Sequence, residues 1–268
     1  MSDERTPIVI SNPWERLRAH TPARIALGRT GISLPTAPHL AFQLAHARAR
    51  KAVHHELDTE ALRSALVGFG MDILIVQSAA ADRSSYLQRP DKGRRLDPAS
   101  CEALHTHIHA GAAYDVALVI GDGLSALAIE ENARLFLEAL LPRLRGDGLT
   151  IAPLVIVRQA RVAVGDEVGA LLKARLVVVM IGERPGLSSP NSMGLYMTYA
   201  PKVGLTDEAR NCISNVRPEG LGYDSAAHRL HYLIAEAVKR GLSGVALKDE
   251  SEIPSPAISS NNKTALFK

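Results

Sequence analysis

A single acidic residue, Glu183, directly follows an apolar run with the character of a buried strand. Residues 177–182 read VVVMIG, and the next residues continue as ERPG. Pro185 and the glycine after it favour a sharp turn over a helix, so the carboxylate stays at the strand's carboxyl end, where open parallel sheets bind ligands. There it can accept hydrogen bonds from hydroxyl or amide groups of a bound molecule. The alternative is an internal partner of the carboxylate, such as Arg158 or Arg161.

Two glycines, Gly121 and Gly123, stand between another apolar run and a helical pattern in VIGDGLSALAIE. Small residues there let backbone amides approach an anion at a helix N-terminus. The segment lacks the third glycine of the dinucleotide fingerprint and the lysine of a P-loop. A ligand-binding turn and a simple tight turn both remain open. Ser125 lacks the GxSxG spacing of a nucleophile elbow.

The segment DRSSYLQRPDKGRRL, residues 82–96, is dense in arginine. It follows the first predicted strand, MDILIVQS at residues 71–78. In a parallel sheet this segment would lie at the same edge as Glu183 and the glycine turn. Its arginines could bind phosphate or carboxylate groups, or they could pair with acids of the protein itself. They are Arg83, Arg89, Arg94 and Arg95.

The histidines do not form a metal-binding pattern. On a helix His105 and His109 would share a face while His107 would not, and no matching carboxylate accompanies them. We therefore interpret them, with His54 and His55, as surface or capping residues and predict no metal site.

The composition favours a globular intracellular protein. The 268 residues are 46% hydrophobic with a net charge of +3. Residues 1–51 hold eight Arg or Lys against three acids, so the basic charge lies in an arm. Without a recognition motif this arm predicts no nucleic-acid binding, and no segment has the roughly 20 apolar residues of a membrane span. Neither a signal peptide nor a disulfide framework is indicated, so we expect a cytoplasmic location.

The pattern along the chain predicts an α/β fold, a Rossmann-like three-layer domain with a parallel sheet. Short β-branched apolar runs alternate with amphipathic helices, as in parallel sheets covered on both faces. We predict three regions. Residues 1–58 form a helical N-terminal arm for subunit association, residues 59–250 form the Rossmann-like domain, and residues 251–268 form a flexible tail.

Several separated motifs resemble one known family. ARIALGRTG, LPT, DRSSYLQRPDKGRRL, GDGLSA, GERPGL and NCISNV occur here in the order and context of the small subunit of ethanolamine ammonia-lyase, an adenosylcobalamin-dependent enzyme that converts ethanolamine to acetaldehyde and ammonia by a radical mechanism. The resemblance extends from about residue 12 to about residue 247.

The resemblance implies that this chain is one half of an active site. In that family a large subunit holds the substrate and most of the catalytic groups, and six copies of each chain assemble. We therefore expect no catalytic residue in this chain. The cofactor contacts fall on Val162 in ARVAVGDE, Glu183 in GERPGL and Cys212 in NCISN. For Cys212 we expect a packing or backbone contact.

The resemblance also implies how the cofactor binds and what the arm does. The DxHxxG motif, whose histidine replaces the cofactor's own base on cobalt, is absent, so we expect base-on binding without a protein ligand to the metal. The RPDKGRR loop is then a neighbour of the nucleotide tail or of the large subunit. The front segment helps association and, in organisms that build an ethanolamine microcompartment, encapsulation.

Two other functions stay open on the sequence. A nicotinamide-dependent oxidoreductase on a Rossmann domain would bind a dinucleotide, although the missing third glycine counts against it. A non-catalytic regulatory or scaffold subunit would form a complex through the basic arm without touching a cofactor.

Overall fold

The computed structural model describes residues 9–10, 12–107 and 113–251, and its centre is a six-stranded sheet. The strand order is β1-β3-β2-β4-β5-β6, which differs from the 3-2-1-4-5-6 order of the Rossmann fold. The strands are β1 (Ile73–Gln77), β2 (Tyr114–Gly121), β3 (Leu154–Arg158), β4 (Ala174–Gly182), β5 (Met193–Tyr199) and β6 (Arg210–Val216).

The sheet is mixed, so the prediction of a parallel sheet is wrong at one edge. Strands β1 to β4 pair in parallel, whereas β5 runs antiparallel to β4 and β6 antiparallel to β5. The connection between β4 and β5 covers only residues 183–192. A parallel crossover needs a dozen or more residues, so the chain returns alongside β4 in the opposite direction.

Helices cover both faces of the sheet. Helices α2, α5 and α7 pack on the face to which Leu118 and Ile120 of β2 point, and α4 and α6 pack on the face of Ala117 and Val119. The described α-helices are α1 (Thr36–His54), α2 (Thr59–Leu66), α3 (Arg83–Gln88), α4 (Pro98–His107), α5 (Ala126–Gly146), α6 (Val164–Leu171) and α7 (Tyr223–Arg240).

Local hydrogen bonds and backbone angles define the ends of several helices. Asn12 accepts a hydrogen bond from the Trp14 amide, although the helix that follows, Pro13–His20, is a 3-10 helix and not an α-helix. Gly241 has φ +70° and ends α7 in the left-handed region that glycine favours.

The N-terminal segment contacts the sheet domain at a few polar points. The Val53 carbonyl accepts from Arg83 Nε at 2.7 Å, and His55 lies 2.8 Å from Glu130 of α5. Arg24 donates to the Leu187 carbonyl at 3.3 Å. Within the described residues no helix is both long and apolar enough to span a bilayer. The predicted tail is residues 251–268, and all of it after Ser251 lies outside the described residues.

Candidate functional site

The carboxyl ends of three neighbouring parallel strands line one cavity of about 400 Å³. Tyr196 of the antiparallel strand β5 also lines this cavity. The lining residues after the strands are Gly123 and Leu124 after β2, Arg161 and Val162 after β3, and Glu183 and Arg184 after β4.

Glu183 is held in a fixed orientation through one of its two carboxylate oxygens. The backbone amide of Glu183 donates to the Ser192 carbonyl at 2.9 Å. Its Oε2 accepts from the Ser192 hydroxyl and, at 3.2 Å, from the backbone amide of Asn215. Among the described residues no group donates to Oε1. The carboxylate therefore keeps one oxygen available for a ligand.

Glu183 has internal partners in Ser192 and Asn215, but neither of the two arginines named as candidates pairs with it. Arg158 donates to the Thr59 hydroxyl at 2.5 Å, and Arg161 donates to the Tyr86 carbonyl at 3.2 Å. Gly194 lies beside the carboxylate on β5, and a Cβ atom there would come within 3.0 Å of Oε1. A glycine at this position keeps the space next to the free oxygen open.

The structure brings two of the three predicted cofactor contacts into one cavity. Val162 and Glu183 both line it, whereas Cys212 does not. Cys212 is exposed on β6, and its cross-strand partner is Tyr196, which lines the cavity. Burial raises the pKa of Tyr196, and the neighbouring Cys212 thiol raises it further.

Tyr86, which the sequence analysis missed, also lines this cavity. Its ring is fully buried between two guanidinium groups, with Arg83 at 4.7 Å and Arg161 at 4.3 Å from the ring centroid. Burial raises the pKa of the Tyr86 hydroxyl to about 12, so it stays a neutral hydrogen-bond donor. The sequence feature that could have indicated Tyr86 is its place as a lone aromatic residue in the arginine-rich segment 82–96.

Three of the four arginines of residues 82–96 pair within the protein, which supports the alternative of neighbouring acids and carbonyls. Arg83 is buried and donates to the Gly123 carbonyl at 2.8 Å. Arg89 pairs with Asp91 at 2.8 Å, and Arg95 pairs with Glu167 at 2.7 Å. The exposed Arg94 has no ion-pair partner among the described residues.

The turn after β2 is explained by close packing. Asp122 is buried and its carboxylate accepts from the amides of Gln159 and Ala160 at 2.9 and 2.8 Å. Burial raises the Asp122 pKa, and these amides oppose that rise. The Leu124 amide donates to the Gly182 carbonyl at 2.9 Å. An amide engaged in this way cannot bind a phosphate, so the turn has the features of a tight turn.

The histidines are separated in the fold. His55 contacts Glu130, and His107 Nε2 lies 3.9 Å from Asp72. Among the residues with described positions, no three His, Cys, Asp or Glu side chains are grouped to hold a metal ion. His109 lies outside the described residues.

Comparison with known proteins identifies the family. The model of the family "Ethanolamine ammonia-lyase light chain (EutC)" matches residues 11–248. A protein of Azotobacter vinelandii named ethanolamine ammonia-lyase small subunit is 59% identical over 254 residues, which cover 94% of this chain and 93% of that protein. A Ralstonia nicotianae protein of the same name is 58% identical over 259 residues, which cover 95% of this chain and 96% of the relative. The chain therefore belongs to the ethanolamine ammonia-lyase light chain family.

Proposed function

We propose that this chain is the small subunit of an adenosylcobalamin-dependent ethanolamine ammonia-lyase and forms one wall of its cofactor site. The observation that carries the proposal is the carboxylate of Glu183, which opens on the cavity with Oε2 engaged and Oε1 without a donor among the described residues. An acceptor fixed in this way suits the amide groups at the edge of a corrin ring or a ribose hydroxyl.

The size of the cavity fits the edge of a large cofactor. A volume of about 400 Å³ is at the lower end of the range that encloses a drug-sized ligand, and a corrinoid is much larger. The cofactor would therefore cover the cavity with one edge while a large subunit surrounds the remainder. This arrangement makes the site incomplete in the isolated chain.

The proposed roles of this chain are binding and orientation. When bound, adenosylcobalamin supplies the radical chemistry of the deamination. Glu183 accepts a hydrogen bond from the cofactor, the backbone near Val162 lines its edge, and Cys212 contributes packing beside Tyr196. No side chain of this subunit binds the cobalt ion, in keeping with base-on binding.

The roles of the three regions of the chain and the assembly of the two subunits are part of the same proposal. Residues 1–58 act in association with the large subunit, residues 59–250 form the cofactor-contacting, Rossmann-like part, and six copies of each chain assemble in the cytoplasm or within a microcompartment. The relatives' name, small subunit, supports the existence of a larger partner. The engaged amide of Leu124 speaks against the alternative of a dinucleotide-binding oxidoreductase.

A binding titration tests the role of Glu183. In the complex of both subunits, Glu183→Gln should weaken adenosylcobalamin binding about tenfold, since a hydrogen bond to a charged acceptor becomes one to a neutral acceptor. The control is Glu102→Gln, an exposed acid on α4, which should leave the affinity unchanged. Equal affinities for adenosylcobalamin in the wild-type, Glu183→Gln and Glu102→Gln complexes would refute the proposed contact.

A further inference from the structure

The loop that carries Glu183 is fixed to helix α5 through hydrogen bonds to its backbone. This Glu183 loop, residues 183–192, joins β4 to β5. The Ser125 hydroxyl donates to the Pro190 carbonyl at 2.8 Å, and the Asn132 amide nitrogen donates to the Asn191 carbonyl at 2.9 Å. Both donors are side chains with 0% exposure. Two consecutive carbonyls of the loop are thus bound by buried side chains of α5 and of its N-cap residue.

These two anchors lie next to the residue that orients the carboxylate. Ser192 follows Asn191 directly and makes two hydrogen bonds with Glu183, one from its hydroxyl to Oε2 and one from the Glu183 amide to its carbonyl. A shift of residues 190 and 191 would therefore move the hydroxyl that holds Glu183. Only the peptide bond between Asn191 and Ser192 separates the anchored carbonyl of Asn191 from the residue that orients Glu183.

Helix stability alone does not account for Asn132. Asparagine is a poor helix former, and burying its amide in α5 is unfavourable unless every polar atom is paired. Here its nitrogen also donates to the Ala128 carbonyl at 2.7 Å, and its oxygen accepts from the Tyr223 hydroxyl at 2.8 Å. A leucine would pack in the same helix without these requirements. The bond that reaches outside the α5–α7 pair is the one to the Glu183 loop.

We propose that Asn132 and Ser125 are positioning residues that hold the Glu183 carboxylate in place for the cofactor. This inference rests on the proposed function, because it assigns these residues an effect on cofactor binding through Glu183. Neither residue lines the cavity, so neither is expected to touch the cofactor itself.

The experiment uses the complex of both subunits and two measurements. Asn132→Leu and Ser125→Ala should each weaken adenosylcobalamin binding about three- to tenfold, the effect of one lost buried hydrogen bond. In the cofactor-free complex, both variants should speed hydrogen exchange of the Glu183 and Asn215 amides, which depend on the loop position. Tyr223→Phe removes the third bond of Asn132 without touching the loop, and it should change neither quantity.

A second control separates the loop contact from helix capping. Ser125 also caps α5 by accepting from the Ala128 amide at 3.2 Å. Asp97 caps α4 in the same way, accepting from the Ser100 amide at 2.7 Å, and none of its hydrogen bonds among the described residues reaches the Glu183 loop. Asp97→Ala should therefore lower the unfolding temperature as Ser125→Ala does, while cofactor affinity stays at the wild-type value.

A double-mutant cycle with Glu183→Ala gives the decisive comparison. If Asn132 acts through Glu183, Asn132→Leu should have almost no further effect on affinity once Glu183 is alanine. Additive losses, or an equal loss in Tyr223→Phe, would overturn the positioning role and leave the contact of Glu183 standing. An unchanged affinity in Glu183→Ala itself would instead refute the contact proposed above, so the two failures are distinguishable.

Discussion

At the scale of single residues, Gly123 illustrates how closely the loops around the cavity pack. It has φ +58°, and a Cβ atom there would overlap the Gly182 carbonyl oxygen at the end of β4. Glycine is thus required both for the backbone angle and for the approach of two strand ends that line the site.

Replacing Gly123 by alanine should destabilise the folded chain by about 3 kcal/mol, because a steric clash adds to the strain of the left-handed backbone. The matched control is Gly148→Ala. Gly148 has φ +71°, and a Cβ atom there would meet nothing within 4 Å. This variant carries only the strain, about 1 kcal/mol. Urea unfolding of both variants measures the difference, and equal losses would contradict the role of close packing.

The position of Glu183 could be predicted from the sequence, but its partners could not. A proline and a glycine after an apolar strand place the carboxylate at the sheet edge whatever the remainder of the fold. The hydroxyl that holds it comes from Ser192 and the backbone amide from Asn215, which lies on β6, a strand that reaches the site only when the chain has folded. The role of Asn132 could not be predicted either, because its neighbouring sequence does not distinguish it from a surface residue of a helix.

At the scale of secondary-structure elements, Glu167 ties the arginine-rich segment to α6. Its carboxylate accepts two hydrogen bonds from Arg95, at 2.7 and 3.0 Å, and one from the buried Leu96 amide at 2.8 Å. Burial alone would raise the Glu167 pKa, but these donors outweigh burial and lower it. The segment that carries Tyr86 is thereby fixed beside the cavity.

Glu167→Ala should lower the free energy of unfolding by about 2 kcal/mol near neutral pH, largely because the Leu96 amide loses its acceptor. The contribution of the carboxylate depends on pH with a definite sign. Its pKa is lower in the folded state, so its stabilisation is complete above the ordinary pKa of glutamate and is lost as the pH falls through the lower folded-state value.

The difference in the free energy of unfolding between wild type and Glu167→Ala should therefore decrease as the pH falls from about 6 to about 3. Urea titrations at several pH values measure it. Glu60→Ala, which removes an exposed acid with an i,i+3 partner on α2, serves as the control and should not alter the unfolding midpoint. A gap that stays constant or widens with acid would contradict the assigned interaction.

Strands differed in how far they could be predicted. The four parallel strands were recognisable because each contains a run of β-branched and other apolar residues, which is typical of parallel sheets. Strand β5 reads MGLYMTY and β6 reads RNCISNV, without such a run. Their strand conformation depends on pairing with β4 and with each other, which local preference does not encode. The parallel sheet was predicted for this reason, and its antiparallel edge was missed.

At the scale of the whole molecule, the N-terminal segment exposes a row of apolar side chains. Leu40 and Leu44 lie four residues apart on α1 with 56% and 52% of their surface accessible. Residues at this spacing share one helix face. Such a face is typical of a surface that is covered in a complex, and it supports a role of this segment in association with the large subunit.

Leu40→Gln and Leu44→Gln should each weaken association with the large subunit about tenfold, the effect of removing one apolar side chain from an interface. Their thermal unfolding as isolated chains should match the wild type, because the replaced side chains are exposed and glutamine suits a helix. Val245→Gln, a similar exposed residue outside the segment, is the control. Titration by light scattering or calorimetry measures the affinities, and unchanged values would place the interface elsewhere.

In the function proposed above, this chain supplies half of a cofactor site and has no activity of its own. The most direct measurement is acetaldehyde release from ethanolamine by this chain, by its large-subunit partner and by the mixture, each with adenosylcobalamin. We expect release from the mixture alone. Release by the isolated chain, or none from a mixture that demonstrably forms a complex, would contradict it.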